Sequence, residues 1–225
     1  MTPTSFSVSV PNSAVSPDHT SPSRAAAPSV IAIEKGLPMH PLPGFKRVVT
    51  GHTADGRATL AHCGAAPNAF ALQAVPGTVF HEIWNTPASP APIDNGDDPT
   101  ARALCLSPGP QGSLIRVVDI PPDSVQNDIS AEAAAAAFAE IGQAHAGTGR
   151  VDSRHKLMHR TETIDYGIVT EGEVWLVLDD QEVQLARGDV VVQRGTNHAW
   201  SNRTEVMARM VFILLDGTFT QELQP

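Results

Sequence analysis

Apolar and polar side chains alternate in short runs between residues 155 and 216. Turn-forming dipeptides separate the runs, at Glu171-Gly172, Asp179-Asp180 and Arg187-Gly188. Alternation with a period of two is typical of strands that bury one face. Short strands with a turn signal between neighbours predict an antiparallel sandwich or barrel, and the run "VMARMVFILLD" predicts its last strand.

The first half of the chain carries similar signals less regularly. "FKRVVTGHTADGRATLAHC" predicts a hairpin that turns at Asp55-Gly56, because this dipeptide tolerates positive φ angles. "TVFHEIWNT" and "SLIRVVDI" predict two more strands, and the proline- and acid-rich "PASPAPIDNGDDPT" predicts a loop. Both halves of the chain are therefore expected to be mainly β.

One segment has the pattern of an α-helix. "SAEAAAAAFAEIGQ", residues 130–143, is rich in alanine, and Asp128 or Ser130 can cap its start. Phe138 and Ile141 are three residues apart and share one face of this helix. We expect that face to lie against a barrel wall.

Composition and charge narrow the choice of partners. The 225 residues include 24 acidic and 15 basic side chains, a formal charge of -9 that would repel nucleic acid. The longest apolar runs fall short of the ~18 residues of a membrane span. Residues 1–28 are rich in Ser and Pro without the features of a secretory signal, so we expect a disordered tail and a cytoplasmic protein. Cys63 and Cys105 are expected to be free thiols.

The second half also contains two short motifs. The stretch "HRTETID" has His159, Thr161 and Asp165 where the pattern G-x5-H-x-H-x3,4-E-x6-G has its two histidines and its glutamate, and Gly172 takes the last glycine. In "RGTNHAWSN", His198 falls at the histidine of the pattern G-x5-P-x-G-x2-H-x3-N. Other residues in register are Gly195 and Asn202, with Gln193 at the proline position and Gly188 one residue closer than the pattern asks.

On these motifs the chain resembles the cupin superfamily. The resemblance implies a mainly β fold, a cupin jelly-roll β-barrel with an augmenting N-terminal β-rich half and one α-helix. We expect a tail over 1–28, an N-terminal half over 29–128 that packs on the barrel, a helix and linker over 129–147, and the barrel core over 148–220. The superfamily hosts many reactions, so the resemblance alone leaves the activity open.

The motifs also imply a divalent metal site. Residues of one parity in a strand face one way, so His159 and Asp165 can point into the barrel, where His198 enters from a later strand. Two imidazoles and one carboxylate suit iron, zinc or manganese. Thr161 leaves one position open for water or substrate, and His155 can replace the missing ligand. Alternatively, Asp165 is a general acid or base with a raised pKa and does not bind the metal.

Further residues are expected around a substrate pocket. Trp200 shares the parity of His198 and can stack on a planar substrate. His155 lies near the barrel mouth, and Arg209 can hold a carboxylate, as can Arg160 or Arg194. Tyr166 has the opposite parity to Asp165 and should face away from the lumen.

The leading functional hypothesis is a metal-dependent lyase, a decarboxylase or dehydratase that acts on a small aromatic or polyketide-like acid or ketone, with Asp165 and Thr161 as catalytic residues. One alternative is a non-haem Fe(II) dioxygenase. Another is a metal-free cupin that binds a ligand or serves as a structural module. We expect a small-molecule substrate, no membrane or nucleic-acid partner, and a homodimer.

Overall fold

The strands and the helix of this fold follow the predicted pattern closely. The computed structural model describes residues 41–125, 129–149 and 152–223. The predicted tail over 1–28 and Asp128 lie outside these residues. The strands are β1 (Arg47–His52), β2 (Ala58–Gly64), β3 (Ala69–Ala71), β4 (Val79–Thr86), β5 (Ser113–Ile120), β6 (Thr163–Glu171), β7 (Glu173–Leu178), β8 (Glu182–Ala186), β9 (Val190–Arg194), β10 (His198–Ser201) and β11 (Ala208–Asp216). The α-helix is α1 (Ala131–Glu140), and two short 3₁₀ helices span Asp123–Val125 and Gln221–Leu223.

The strands form three sheets. Six strands make the largest sheet in the order β3-β4-β5-β11-β6-β9, and β10-β7-β8 make a second sheet. The hairpin β1-β2 stands as a separate pair, with Gly56 at a φ of 81° in its turn. Each strand pairs with its neighbours in the antiparallel sense, as the turn signals predict. The mainly β cupin fold class is confirmed.

The first half of the chain joins the large sheet through main-chain hydrogen bonds. Strand β5 pairs with β11 over its whole length, from Ser113 opposite Leu215 to Ile120 opposite Ala208. Strand β4 then pairs with β5, and β3 with β4. Strands β3, β4 and β5 of the N-terminal half therefore belong to the large sheet and form part of the wall around the interior.

Strand β6 shows the predicted alternation of faces. Thr163, Asp165 and Val169 are buried, whereas Tyr166 is 40% exposed. The turn that follows has Gly172 at a φ of 72°, where a Cβ would also lie 3.1 Å from the Cα of Ala208. This glycine is required by conformation and by space.

The interior between the sheets is apolar. Val174 and Leu176 enter it from the three-stranded sheet, and Met210 and Leu214 enter it from the six-stranded sheet. All are at most 6% exposed. None of the helices in the described part of the chain is long and apolar enough to cross a membrane.

Helix α1 closes one side of this interior. Ser130 caps its start, accepting a hydrogen bond from the backbone N–H of Ala133 at 3.2 Å, and Gly142, at a φ of 72°, follows its end. Phe138 and Ile141 are 6% and 3% exposed and pack into the core, as their spacing predicts. The helix therefore places an aromatic ring over the site described next.

Candidate active site

Two histidines meet at the edge of the three-stranded sheet. His198 begins β10, and His159 lies just before β6, outside any strand. Their backbones exchange two hydrogen bonds, of 2.8 and 2.9 Å from N to O. The ring centroids are consequently only 4.2 Å apart. The alternation that starts at residue 155 does not form a strand before Thr163, because residues 155–162 form turns and isolated bridges at His159.

The same nitrogen of each ring is engaged in the same way. His159 Nδ1 lies 3.0 Å from the carbonyl oxygen of Leu157, and His198 Nδ1 lies 2.9 Å from that of Thr196. A carbonyl only accepts, so each Nδ1 carries the proton and each Nε2 keeps its lone pair. Within the described ranges neither Nε2 has a hydrogen-bond partner.

Both imidazoles are neutral. Burial lowers the pKa of His159, and it lowers the pKa of His198 well below its ordinary value, with the neighbouring His159 as the second cause. The site therefore presents two hydrogen-bond acceptors, one on each ring, and no cationic imidazole at neutral pH.

Asp165 is the buried carboxyl group of the site. It lies on the inner face of β6 and is 7% exposed, and its Oδ1 has no hydrogen-bond partner among the described residues. Burial raises the pKa of Asp165 to about 6, while Thr163 and the charge of Arg116 act in the opposite direction. At pH 7 the group is mostly ionised, and a buried carboxylate with one unpaired oxygen is a reactive proton acceptor.

These groups face a common cavity of about 130 Å³. Helix α1 and both large sheets contribute to its walls. Apolar side chains dominate the lining, which consists of Leu72, Val75, Thr78, Phe80, Leu106, Arg116, Val118, Ile120, Ala137, Phe138, Ile141, Leu157, His159, Asp165, His198, Trp200, Phe212 and Leu214. The size is close to that of a ~150 Å³ protein cavity that accommodates benzene, so the fitting molecule is small and largely apolar.

Arg116 is the cavity residue that the sequence analysis missed. It lies on β5, is 1% exposed, and its Nε lies 2.9 Å from Glu82 Oε1 on β4. Its Nη2 donates to the carbonyl oxygen of Cys105 at 2.6 Å. The alternation within "SLIRVVDI" could have predicted that Arg116 points inward, because it shares the parity of Leu114 and Val118.

The predicted pocket residue Trp200 does line the cavity. Its ring stands edge-on to His198 at 5.5 Å and contacts Phe212 at 5.2 Å. Thr161 is buried beside the site, with its Oγ1 2.8 Å from Thr163 Oγ1, but it is absent from the lining. Its predicted catalytic role stays a prediction that this placement does not support.

The lining of this cavity does not include the other two predicted pocket residues, His155 and Arg209, whose role at a substrate stays a prediction. His155 Nδ1 accepts from the N–H of Leu157 at 3.1 Å, and its Nε2 faces Asp123 at 3.8 Å. Arg209 has the opposite parity to its inward-facing neighbours on β11 and makes a bidentate pair with Asp119, at 2.5 and 2.9 Å. Each side chain therefore has a carboxylate partner on another surface.

The side chains do not assemble the three-ligand metal centre that the motifs imply. Catalytic zinc and non-haem iron sites use about three protein ligands around one ion. In the part of the chain that the structure describes, no three His, Cys, Asp or Glu side chains are close enough to hold one ion. His159 and His198 come together, but Asp165 does not join them. Equal parity means only that His159 and Asp165 point to the same side of an extended chain. It does not bring them together, because six residues of such a chain span about 20 Å.

Replacing Phe138 by alanine should destabilise the fold by about 3–5 kcal/mol, because it removes a buried ring from the wall and leaves a cavity. The Phe138 ring lies 5.3 Å from that of His159, and a Cβ at Gly147 would be 2.7 Å from it. Denaturant unfolding measures the loss. Phe70→Ala is the matched control, since this side chain is 37% exposed and should cost much less. Equal losses would show that α1 does not pack as described.

Comparison with known proteins agrees with the motifs. Residues 144–214 match the family described as Cupin domain. The phomopsin biosynthesis cluster protein C' of Diaporthe leptostromiformis is 36% identical over 179 residues, which cover 76% of this chain and 78% of that protein. A cupin-domain-containing oxidoreductase of Aspergillus ruber is 29% identical over 194 residues, covering 82% of this chain and 80% of that protein.

A solved RmlC-like cupin family protein of Methanocaldococcus jannaschii, with a double-stranded β-helix fold, aligns at a TM-score of 0.29 and 13% identity. That alignment covers 46% of this chain and 70% of that chain. The assignment rests on the sequence matches, which extend well beyond the two motifs. The chain belongs to the cupin superfamily.

Proposed function

We propose that this chain is a lyase of the dehydratase type, which moves a proton on a small, largely apolar carbonyl compound bound in the cavity. The observation that carries the proposal is the buried Oδ1 of Asp165, which has no hydrogen-bond partner in the described structure and faces an apolar cavity. A carboxylate in such surroundings is a stronger base than one in water, because burial disfavours its charge.

Asp165 performs the proton transfer in this proposal. Its carboxylate removes the proton on the carbon next to the substrate carbonyl, so that the C–H bond breaks and an O–H bond forms on Asp165. The protonated Asp165 then gives this proton to the hydroxyl group on the next carbon. The C–O bond breaks, a C=C bond forms, water leaves, and the carboxylate is regenerated. One group acts as base and then as acid.

The two imidazoles orient the substrate hydroxyl group. Each presents a lone pair on Nε2, and both rings line the same cavity as Asp165. A hydroxyl group can donate to either nitrogen, which fixes the carbon chain relative to the carboxylate. Trp200 and Phe138 provide aromatic surfaces against which a planar substrate packs.

The names of the relatives support a biosynthetic substrate. The Diaporthe protein is named for a phomopsin biosynthesis cluster, and an oryzines biosynthesis cluster protein of Aspergillus oryzae is 29% identical over 188 residues. We therefore place this chain in secondary metabolism. Aromatic and polyketide-like β-hydroxy ketones are the substrates of first choice, since they match the size and apolar character of the cavity.

A second candidate function is an oxidoreductase. It is favoured by the name of the Aspergillus ruber relative, a cupin-domain-containing oxidoreductase. Such an activity consumes dioxygen or another electron acceptor, whereas a dehydration is redox-neutral. The two candidates therefore differ in a measurable quantity that does not depend on the exact substrate.

Incubation of the purified protein with β-hydroxy ketones in D₂O should release water. It should also give deuterium at the α-carbon, because the proton on Asp165 exchanges with solvent and the first step can reverse. The measurement is NMR of the substrate, with an oxygen electrode on the same mixture. We expect no dioxygen uptake, and we expect the rate to persist after dialysis against a chelator, because the proton transfer rests on Asp165 alone. Elemental analysis of the same sample gives its metal content.

Three outcomes would contradict the proposal. Stoichiometric dioxygen uptake without α-exchange would establish the oxidoreductase. Loss of exchange on chelation with recovery by one divalent metal would show a metal-dependent reaction. Absence of exchange with every compound, accompanied by saturable binding, would identify a ligand-binding cupin.

A further inference from the structure

The guanidinium group of Arg116 is held on one side only. Glu82 lies against its Nε at 2.9 Å and its Nη2 at 3.4 Å, and Nη2 donates to the Cys105 carbonyl oxygen at 2.6 Å. The ring of Phe80 lies 5.5 Å from the guanidinium carbon. These contacts fix the plane of the group and leave its Nη1 edge unused.

Arg116 Nη1 and Nε are both buried without a hydrogen bond among the described residues, but Nε lies against Glu82 Oε1, which also lacks one, whereas no carboxylate among these residues lies within ion-pair distance of Nη1. Buried guanidinium N–H groups without an acceptor are rare, because each one loses its bond to water on burial. The residue lines the cavity and is 1% exposed. A molecule in the cavity, whether water or substrate, can supply an acceptor oxygen for these N–H groups.

The register of the sheet places Arg116 and Asp165 on the two strands that flank β11, offset by two residues along the strands. Leu214 on β11 pairs with Leu114 on one side and with Asp165 on the other, and Arg116 lies two residues beyond Leu114 on the same face. Strands β5 and β6 are thus two strand spacings apart, about 9–10 Å. Arg116 Nη1 and Asp165 Oδ1 both lack hydrogen-bond partners among the described residues, and the two residues line the same cavity from either side of β11.

We infer that Arg116 binds the carbonyl oxygen of a neutral ketone or aldehyde through Nη1 and stabilises the enolate oxygen that forms when Asp165 removes the α-proton. This inference rests on the proposed function and names the substrate class of the same site. In the step, the C–H electron pair becomes the C=C bond of the enolate, the carbonyl π pair moves onto oxygen, and the proton goes to Asp165. No oxidant or reductant is required.

The charges in the cavity favour a neutral carbonyl compound over a carboxylic acid. Glu82 already offsets the charge of Arg116, and Asp165 is a second carboxylate on the same wall. A substrate carboxylate would be repelled by both. An uncharged carbonyl enters without this repulsion, and its oxygen becomes negative only after the negative charge of Asp165 has been neutralised by the transferred proton.

The experiment uses 4-nitrophenol, whose absorbance distinguishes phenol from phenolate, with the full-length Asp165→Asn variant. Asparagine imitates the uncharged, protonated aspartic acid of the enolate complex, and the phenolate oxygen imitates the enolate. We expect the bound ligand to be the phenolate at a pH where the free ligand is mostly phenol. Binding should be at least about tenfold weaker in wild type, where the Asp165 carboxylate repels it.

Arg116→Lys in the Asp165→Asn background tests the donor. The lysine keeps a positive charge beside Glu82 but loses the Nη1 edge, so phenolate binding should weaken by about 10- to 100-fold. Binding of 4-nitrotoluene, which lacks the oxygen, should be unchanged and shows that the cavity is intact. Arg102→Lys is the matched control, because Arg102 acts electrostatically on both Arg116 and Glu82 but does not line the cavity.

Three results would overturn the inference: a ligand bound as the phenol, no binding to Asp165→Asn, or equal phenolate affinity in Arg116→Lys and its background. If Arg116→Lys does not fold, the spectrum of the ligand bound to Asp165→Asn decides by itself. The binding measurement needs no turnover. If the protein binds phenolate but catalyses no α-exchange, the proposed function is refuted and the oxyanion site is retained. If it catalyses α-exchange but does not bind phenolate, only the role of Arg116 is refuted.

Discussion

Replacement of Asp165 by asparagine is expected to lower kcat for α-proton exchange by about 10²- to 10⁴-fold, the usual contribution of a general base. The amide cannot accept the proton, yet its shape and burial match those of the carboxyl group. For the wild-type protein, kcat/KM should rise with pH through about 6 and level off above it, because the carboxylate is the active form and burial raises the pKa of Asp165 to about 6.

The same substitution is expected to increase stability at neutral pH. The pKa of Asp165 is raised on folding from 3.8 to about 6, so the folded protein holds this proton more tightly than the unfolded chain. The stabilisation from the bound proton is complete below pH 3.8 and is lost as the pH rises through 6. An ionised Asp165 therefore costs about 3 kcal/mol at pH 8, which asparagine avoids.

Denaturant unfolding at pH 8 and at pH 4 measures this difference. Asp165→Asn should exceed wild type at pH 8 by about 1–3 kcal/mol and lose most of that advantage at pH 4. Glu173→Gln is the matched control, an exposed carboxylate whose partner is Gln184 at 2.8 Å; it should leave both exchange and stability nearly unchanged. An Asp165→Asn enzyme that retains wild-type kcat would remove the proposed base.

Replacement of Arg116 by methionine is expected to destabilise the protein by about 3–5 kcal/mol. The substitution leaves the Glu82 carboxylate, 5% exposed, without its counter-ion. Burial already raises the pKa of Glu82, and Arg116 is the first of the charges that oppose this effect. The loss should shrink at low pH, because Glu82 can then take up a proton and bury no charge.

The double variant Glu82→Met/Arg116→Met shows how much the ion pair as a whole contributes to the free energy of unfolding, apart from the destabilisation caused by leaving one buried charge unpaired. Two apolar side chains of similar volume often replace a buried ion pair with little loss, so we expect the double variant to be more stable than Arg116→Met. The exposed pair of Arg57 and Asp55, 2.7 Å apart, is the control, and Arg57→Met should change stability little. Additive losses in the double variant would mean that Glu82 and Arg116 are not coupled.

The strands could be predicted because their information is local. The period-two pattern marks buried and exposed faces one residue at a time, and dipeptides such as Asp55-Gly56 mark the turns. Strand β3 was not predicted, since three residues are too few for a pattern to show. The alternation also covers residues 155–162, but this segment forms turns, with isolated bridges at His159.

The motif spacing identified His159, Asp165 and His198, and the parity of His198 identified Trp200; all four line the cavity. It could not show whether three of them reach one point, because convergence depends on how strands cross in space. It also gave no reason to connect Arg116 with Asp165. These residues are 49 positions apart, and only the order β5-β11-β6 places them on either side of one strand.

The order of residues along this chain is enough to determine which side chains point inward, where the backbone turns, and to which superfamily the protein belongs, since these properties depend on neighbours in sequence. Tertiary structure alone decided that Arg209 and His155 lie against Asp119 and Asp123, that two imidazoles stand together without a third ligand among the described residues, and that the buried Asp165 and Arg116 line one cavity. The reason is that distances between strands, burial and the pKa values that follow from it are set by packing across the sheets, which no local pattern records.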